Sequence, residues 1–176
     1  MDCCTNLKTL VKNISYFEII GSLDNSEITG LTHDSRICNQ GYIFFAIHGI
    51  HYDGHKYIQS AIENGAMVII YSESLHQYLD GITYIKVSSI YEALSRISSA
   101  YYNNPSSYIK VIGITGTDGK TSTSDYIYQL FNLTKINTSL LSSVWQDNGT
   151  GKVRNKKHMT TPDAIEVQKF LFESIN

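Results

Sequence analysis

The stretch VIGITGTDGKTS at 111–122 constrains this chain more than any other, because an apolar run feeds a glycine-bearing turn that opens into a helical pattern. A strand expected over 110–115 delivers Gly116, Thr117, Asp118 and Gly119 as that turn, and Ile127, Leu130 and Phe131 mark the inner stripe of the helix after it. Such a connection lets consecutive backbone N–H groups converge on an anion while the helix N-terminus adds positive potential. Lys120 supplies a mobile charge for the β- and γ-phosphates of a nucleotide, the Thr121 hydroxyl is placed to coordinate Mg²⁺, and Ser122 completes the candidate loop. The longer pattern G-x-x-x-x-G-K-[ST] is not met, since Ile114 stands where its first glycine belongs. An ordinary strand-to-helix connection carries the same ingredients; the order strand, turn, helix is what favours phosphate binding.

Any recognition of phosphate must be local. A formal net charge of −2 provides no basic field for nucleic acid or anionic lipid. The longest apolar runs, 42–47 and 66–71, fall far short of the ~20 residues that span a bilayer, so neither a nucleic-acid nor a membrane partner is expected. Hydrophobic residues make up 42% and charged residues 17% of the 176, a globular composition whose polar part is largely Ser, Thr and Asn. The first ten residues carry an acid at Asp2 and no basic segment leading into an apolar one, which does not read as a secretory leader. Cys3, Cys4 and Cys38 lack metal-ligand spacing and suit a reducing compartment. A cytoplasmic monomer is expected.

The first half alternates short apolar runs with helical spacing, the pattern of strands interleaved with helices. Strands are expected over 28–32, 43–47, 67–71 and 82–87. Tyr57, Ile58, Ala61 and Ile62 recur at helical spacing, with Gly65 where a C-terminal cap belongs. Ser89 and Glu92 form a capping box before Ile90, Ala93, Leu94, Ile97 and Tyr101. The polar stretch 103–107, with one of only two prolines, is the linker candidate and divides the chain into 1–107 and 108–176. Beyond the loop come a strand near 138–141, a Gly149–Gly151 turn and a terminal helix from Asp163, with Thr161 before Pro162 readable as an N-cap.

GITGTDGKTSTS at 113–124 resembles the nucleotide loop of the Mur ligases, the ATP-dependent amide-forming enzymes of bacterial peptidoglycan precursor synthesis. In the first half, THDSR at 32–36, GYIFFA at 41–46 and HYDGHKYI at 51–58 are similar, in the same order, to their uridine-nucleotide-binding N-terminal domain. MTTPDA at 159–164 looks like the segment found in the branch, the MurE type, that adds the third residue of the stem peptide. The resemblance implies an α/β fold: a small N-terminal α/β unit for UDP-N-acetylmuramyl-dipeptide, then the start of a parallel-sheet ATP-binding domain. It implies that Ser35 helps hold the uracil and diphosphate end, that His51 and Tyr52 approach the same ligand, and that Thr160 and Thr161 contact its muramyl-peptide side. An ordinary Asx turn at Asp34 and Ser35 remains the alternative there.

ATP and Mg²⁺ are the implied cofactors, and an incoming amino acid is the second small-molecule partner. Asp118 stands where the family's loop usually has Asn, placing a carboxylate beside phosphate charge that Mg²⁺ or Lys120 must offset. No residue is identifiable as a catalytic base. The residues from Lys110 onward are too few for the ~100–200 of a complete nucleotide domain, so the chain is expected to be the N-terminal piece of a ligase and inactive alone. A non-catalytic UDP-sugar or nucleotide-binding module, or another Mur-type ligase, is the alternative. His48, His55, His76 and His158 are assigned surface or packing roles.

Overall fold

The computed structural model describes residues 3, 5–23, 27–49, 52–155 and 161–175. The chain divides into two compact units, Asp2–Asn103 and Asn104–Asn176.

The first unit is built on a five-stranded sheet in the order β1-β5-β4-β3-β2, formed by β1 (Tyr16–Ile20), β2 (Gly30–Thr32), β3 (Tyr42–Phe45), β4 (Ala66–Tyr71) and β5 (Thr83–Val87). Strands β2 to β5 run parallel, and β1 pairs antiparallel on the edge beside β5. Helices α1 (Leu7–Leu10), α2 (Ile58–Glu63) and α3 (Ile90–Tyr101) accompany it. Parallel strands covered on both faces read as continuous apolar runs, and β4 does so: Val68, Ile69, Ile70 and Tyr71 are all inaccessible to solvent. One face gathers Phe44, Ile69, Tyr71 and Tyr84 against Ile58 and Ala61 of α2. The alternate residues Ile43, Phe45, Val68 and Ile70, also fully buried, point the other way, where α3 packs on β4 and against α1. Each such aliphatic or phenyl side chain contributes roughly 1.5–3 kcal/mol by leaving water.

Local signals set the element ends. Ser89 Oγ accepts from Glu92 N at 3.3 Å, starting α3, while the Glu92 carboxylate accepts from Arg96 Nε at 2.8 Å. Gly65 ends α2 with φ +106, and a Cβ there would lie 2.6 Å from Gln40 N, so the turn into β4 admits only glycine. Among the helices and strands of the first unit, two carry no signal in the sequence: α1, started by Asn6 accepting from Thr9 N at 3.0 Å, and edge strand β1, whose Tyr16, Phe17 and Glu18 are exposed.

The second unit holds α4 (Lys120–Leu133), an antiparallel meander of β6 (Leu140–Leu141), β7 (Trp145–Asp147) and β8 (Val153–Arg154), and α5 (Ala164–Glu173). Two expectations are corrected. Residues 110–115 form no strand: a strand requires a ladder partner, none of the described strands pairs with them, and Val111 and Ile112 are 57% and 58% exposed. Thr161 does not cap α5; Asp163 does, its carboxylate accepting from Glu166 N at 2.9 Å, which places Pro162 before the cap. No helix among the described residues is long and apolar enough to cross a membrane.

After β2 the chain tightens into a 3-10 turn, Ser35–Ile37, capped by Asp34 Oδ1 accepting from Arg36 N at 3.0 Å. The same carboxylate takes the Arg36 guanidinium in a two-pronged contact, Nε at 2.9 Å and Nη2 at 2.6 Å. That side-chain bond, against an upward push from partial burial, and the Arg36 N–H hold the Asp34 carboxyl down at about 2. A depressed folded pKa stabilises the fold above the ordinary carboxylate range, and the contribution is lost as pH falls from ~4 toward 2. With Arg36 exposed, solvent screening keeps the charge part small. Asp34→Asn keeps the cap acceptor and should lose only that pH-dependent part, whereas Asp34→Ala should cost a further ~0.5–1 kcal/mol at every pH. Urea denaturation at pH 7 and pH 3 measures both; equal losses for the two variants would contradict this division of roles.

Candidate functional site

In the second unit, Gly116 (φ +151) and Gly119 (φ +77) adopt backbone conformations that other residues rarely reach, and they bend residues 115–119 into the N-terminus of α4. Gly119 is the cap residue and offers no side chain to the first turn, which leaves backbone donors at the helix start for an external anion. Lys120 folds back over the loop, its Nζ donating to Gly116 O at 2.6 Å and Thr117 O at 2.8 Å. Contact with a phosphate therefore exchanges two bonds to neutral carbonyls for an ion pair with an anionic oxygen. Thr117, Asp118 and Ser122 are exposed around it. Thr121 Oγ1 lies 3.1 Å from Ser143 Oγ at the end of the β6–β7 connection. Both hydroxyls line a groove of about 110 Å³ with Ile112, Ile114 and Lys120. Ser143 was not singled out in the sequence; its 22-residue separation from Thr121 left no local signal.

A wider groove of about 620 Å³ lies between the meander and α5, lined by Arg154, Pro162, Glu166 and Lys169 among others. Thr161 stands exposed just before Pro162, away from the loop groove. Thr160 lies outside the described residues. Asp147 closes the β7–β8 turn: Oδ1 accepts from Gly149 N at 2.8 Å and Gly151 N at 3.0 Å, and Oδ2 from Tyr128 Oη at 2.5 Å. Burial pushes this carboxyl up, but the Tyr128 hydroxyl, the two glycine N–H groups and the Lys152 charge together hold it below its ordinary value.

In the first unit, the sequence-selected residues sit at the C-terminal ends of neighbouring parallel strands, the general location of ligand crevices in open α/β sheets. Ser35 follows β2 and is buried, its carbonyl accepting from Asn64 Nδ2 at 2.9 Å. Tyr52 follows β3 and is 74% exposed. His51 lies outside the described residues. The turn that presents Tyr52 is closed by Gly49 N donating to Tyr52 O at 2.8 Å and by a bridge between His48 and Asp53. Gly54 is required beneath it, since a Cβ would stand 2.6 Å from Ile47 N.

Asp53 caps the next 3-10 turn, its Oδ1 accepting from His55 N at 3.0 Å and pairing with His55 Nδ1 at 2.9 Å. The other ring nitrogen of His55, Nε2, accepts from Glu73 N at 3.3 Å beyond the end of β4. That contact fixes the proton on Nδ1. His55 is thus a largely enclosed strut, its side chain 9% exposed, and His48, with Nδ1 2.8 Å from Glu73 Oε1, is an exposed partner of an acid 25 residues away.

Residues 27–115, just over half the chain, match the "Mur ligase family, catalytic domain", and residues 114–176 match the "Mur ligase middle domain". A UDP-N-acetylmuramyl-tripeptide synthetase of Borreliella afzelii is 42% identical over 154 residues, which cover 86% of this chain and 30% of that protein. A UDP-N-acetylmuramoyl-L-alanyl-D-glutamate–2,6-diaminopimelate ligase of Phocaeicola vulgatus is 35% identical over 94% of this chain and 34% of its own length. This chain therefore spans about a third of the length of the curated relatives it matches. A solved structure of a 2,6-diaminopimelate ligase of the same kind superposes with a TM-score of 0.68 at 20% identity over 96% of the chain, and MurF of Acinetobacter baumannii with 0.61, also at 20%; both are likenesses of fold. With the glycine loop leading into α4 and the strand-end turns at Asp34–Arg36 and Tyr52 falling inside the matched segments, the chain belongs to the Mur ligase family.

Proposed function

We propose that these residues form the N-terminal part of an ATP-dependent amide ligase of peptidoglycan precursor synthesis, acting in the cytoplasm and adding the third stem-peptide amino acid to UDP-N-acetylmuramyl-L-alanyl-D-glutamate. Residues 1–107 hold the UDP-linked substrate and residues 108–176 begin the nucleotide-binding part. The observation that carries the reading is the junction at Gly119, where a two-glycine turn opens into α4 with Lys120 over the loop and Thr121 facing a groove. The third-residue step is supported by relatives named for it at 35–42% identity.

In the proposed reaction the terminal carboxylate of the muramyl-dipeptide takes the γ-phosphoryl group of ATP, giving an acyl phosphate and ADP. The incoming amine then displaces phosphate and forms the amide. Lys120 and the backbone N–H groups at the start of α4 stabilise charge on the phosphoryl oxygens, which is the dominant protein contribution to this class of transfer. The Thr121 and Ser143 hydroxyls, 3.1 Å apart in one groove, fit a Mg²⁺ ion that takes one or two protein oxygens and fills its other positions with water and phosphate. When bound, that ion neutralises phosphate charge. Ser35, His51 and Tyr52 hold the uridine-nucleotide end, and Thr160 and Thr161 the muramyl-peptide side.

Calorimetry on the 176-residue chain tests the two halves separately. Lys120→Ala should weaken ATP·Mg²⁺ binding by about 10–100-fold, the worth of a hydrogen bond to a charged group, and leave binding of UDP-N-acetylmuramyl-L-alanyl-D-glutamate unchanged. Asp118→Asn should bind ATP equally or more tightly, because it removes a like charge near the phosphates. Unaltered ATP affinity in Lys120→Ala would overturn the phosphate-loop assignment.

A further inference from the structure

Three segments of the first unit bring an imidazole and two carboxylates to one point: His48 after β3, Asp53 at the start of its 3-10 turn, and Glu73 after β4. Their ligand atoms all lie within 4.8 Å of one another, with His48 Nδ1 2.8 Å from Glu73 Oε1 and 4.0 Å from Asp53 Oδ1. We propose that this cluster is a binding site for a divalent transition-metal ion of the zinc or cobalt type, and that the bound ion fastens the turn carrying Tyr52.

The donor set selects the ion class. One imidazole nitrogen with two carboxylate oxygens suits zinc and its neighbours, whereas calcium and magnesium prefer all-oxygen shells. Bonds of about 2.0–2.2 Å require donor atoms within about 4.4 Å of each other. Small rotations of His48 and Glu73, whose side chains are 60% and 53% exposed, close the remaining gap. Three ligands leave a fourth position for water or an external group.

The scaffold beneath is already rigid. His55, whose side chain is 9% exposed, donates from Nδ1 to Asp53 Oδ1 and accepts from Glu73 N, so one ring fixes both the Asp53 carboxylate and the backbone that presents Glu73. This is the outer-shell arrangement that orients metal ligands. His48 and Asp53 are also a bridge pair, and between them Gly49 N donates to Tyr52 O. An ion held by both, and by Glu73 at the end of the central strand, ties that turn to the sheet.

The test is a Co²⁺ titration of the 176-residue chain in a Cys3→Ser, Cys4→Ser background, which removes thiolate ligands near the N-terminus. Visible absorption should saturate at one equivalent, and Co²⁺ or Zn²⁺ should raise the melting temperature, with EDTA reversing it. His48→Ala and Glu73→Gln should each weaken binding by at least ~10-fold, while their melting temperatures in EDTA stay at the parent value. Asp53 is left in place because it caps its turn. Lys120→Ala should retain the full metal response, so failure here is distinguishable from failure of the phosphate loop. Absence of one-equivalent binding, or parental affinity in either variant, would overturn the site.

Discussion

The placement of the strand-end turns in the first unit depends on the burial of strand β4. It is the middle strand of the sheet, and its run from Val68 to Tyr71 is withdrawn from water on both faces. Four such side chains contribute several kcal/mol at roughly 1.5–3 each, comparable with the whole net stability of many domains. The strand is entered through Gly65, which no other residue can replace without striking Gln40, and it exits at Ser72 and Glu73, whose N–H groups face the His55 ring. Apolar packing at the centre thereby sets the height of the loops after β2, β3 and β4. The polar groups at those strand ends, Asp34 with Arg36 and Asp53 with His55, then settle the local geometry through hydrogen bonds of 2.6–3.0 Å.

The second unit is organised differently. Neither α4 nor α5 has a fully buried residue, and the meander strands are two or three residues long. Leu130, Leu133 and Ile136 remain exposed, as do Val111 and Ile112 before the loop. The glycine loop is therefore placed by backbone conformation at Gly116 and Gly119 and by the Lys120 and Thr121 contacts, with little packing beneath it. A loop held this way is drawn from the low-stability end of the structure, and an anion at the start of α4 would supply order that the apolar layer does not.

Legibility in the sequence followed the range of the interactions. The Ser89 cap, the Gly65 stop and the glycine turn at α4 are signalled within a few residues, and the structure contains each. Strands β3 and β4 stood out because burial on both faces leaves continuous apolar runs, YIFF and AMVIIY, while β2 and β5 are equally enclosed but carry Thr32, Thr83 and Lys86. Edge strand β1 did not, since its outer residues face solvent and YFEII has no clean alternation. Residues 110–115 have the composition of a strand, but a ladder needs a second segment, and composition says nothing about whether one is paired. Thr161 offered a cap by residue type, yet Asp163 with Glu166 three residues on satisfies the helix better. In the site, Ser35 and Tyr52 could be picked out by motif. The shared contact of His48 and His55 with Glu73 could not, because Glu73 lies 25 and 18 residues away and is brought near only by the parallel crossover from β3 to β4.

On the proposed function, the chain carries two independent recognition elements: the strand-end turns of the first unit for a UDP-linked substrate, and the loop into α4 for ATP. Hydrogen exchange with peptide-level mass spectrometry measures it directly, with each ligand added alone. ATP·Mg²⁺ should slow exchange in peptides covering 114–122 and leave those covering 32–38 and 46–57 unchanged; UDP-N-acetylmuramyl-L-alanyl-D-glutamate should protect the latter pair. Protection by ATP confined to the strand ends of the first unit, or no ligand effect within 114–122, would contradict the account.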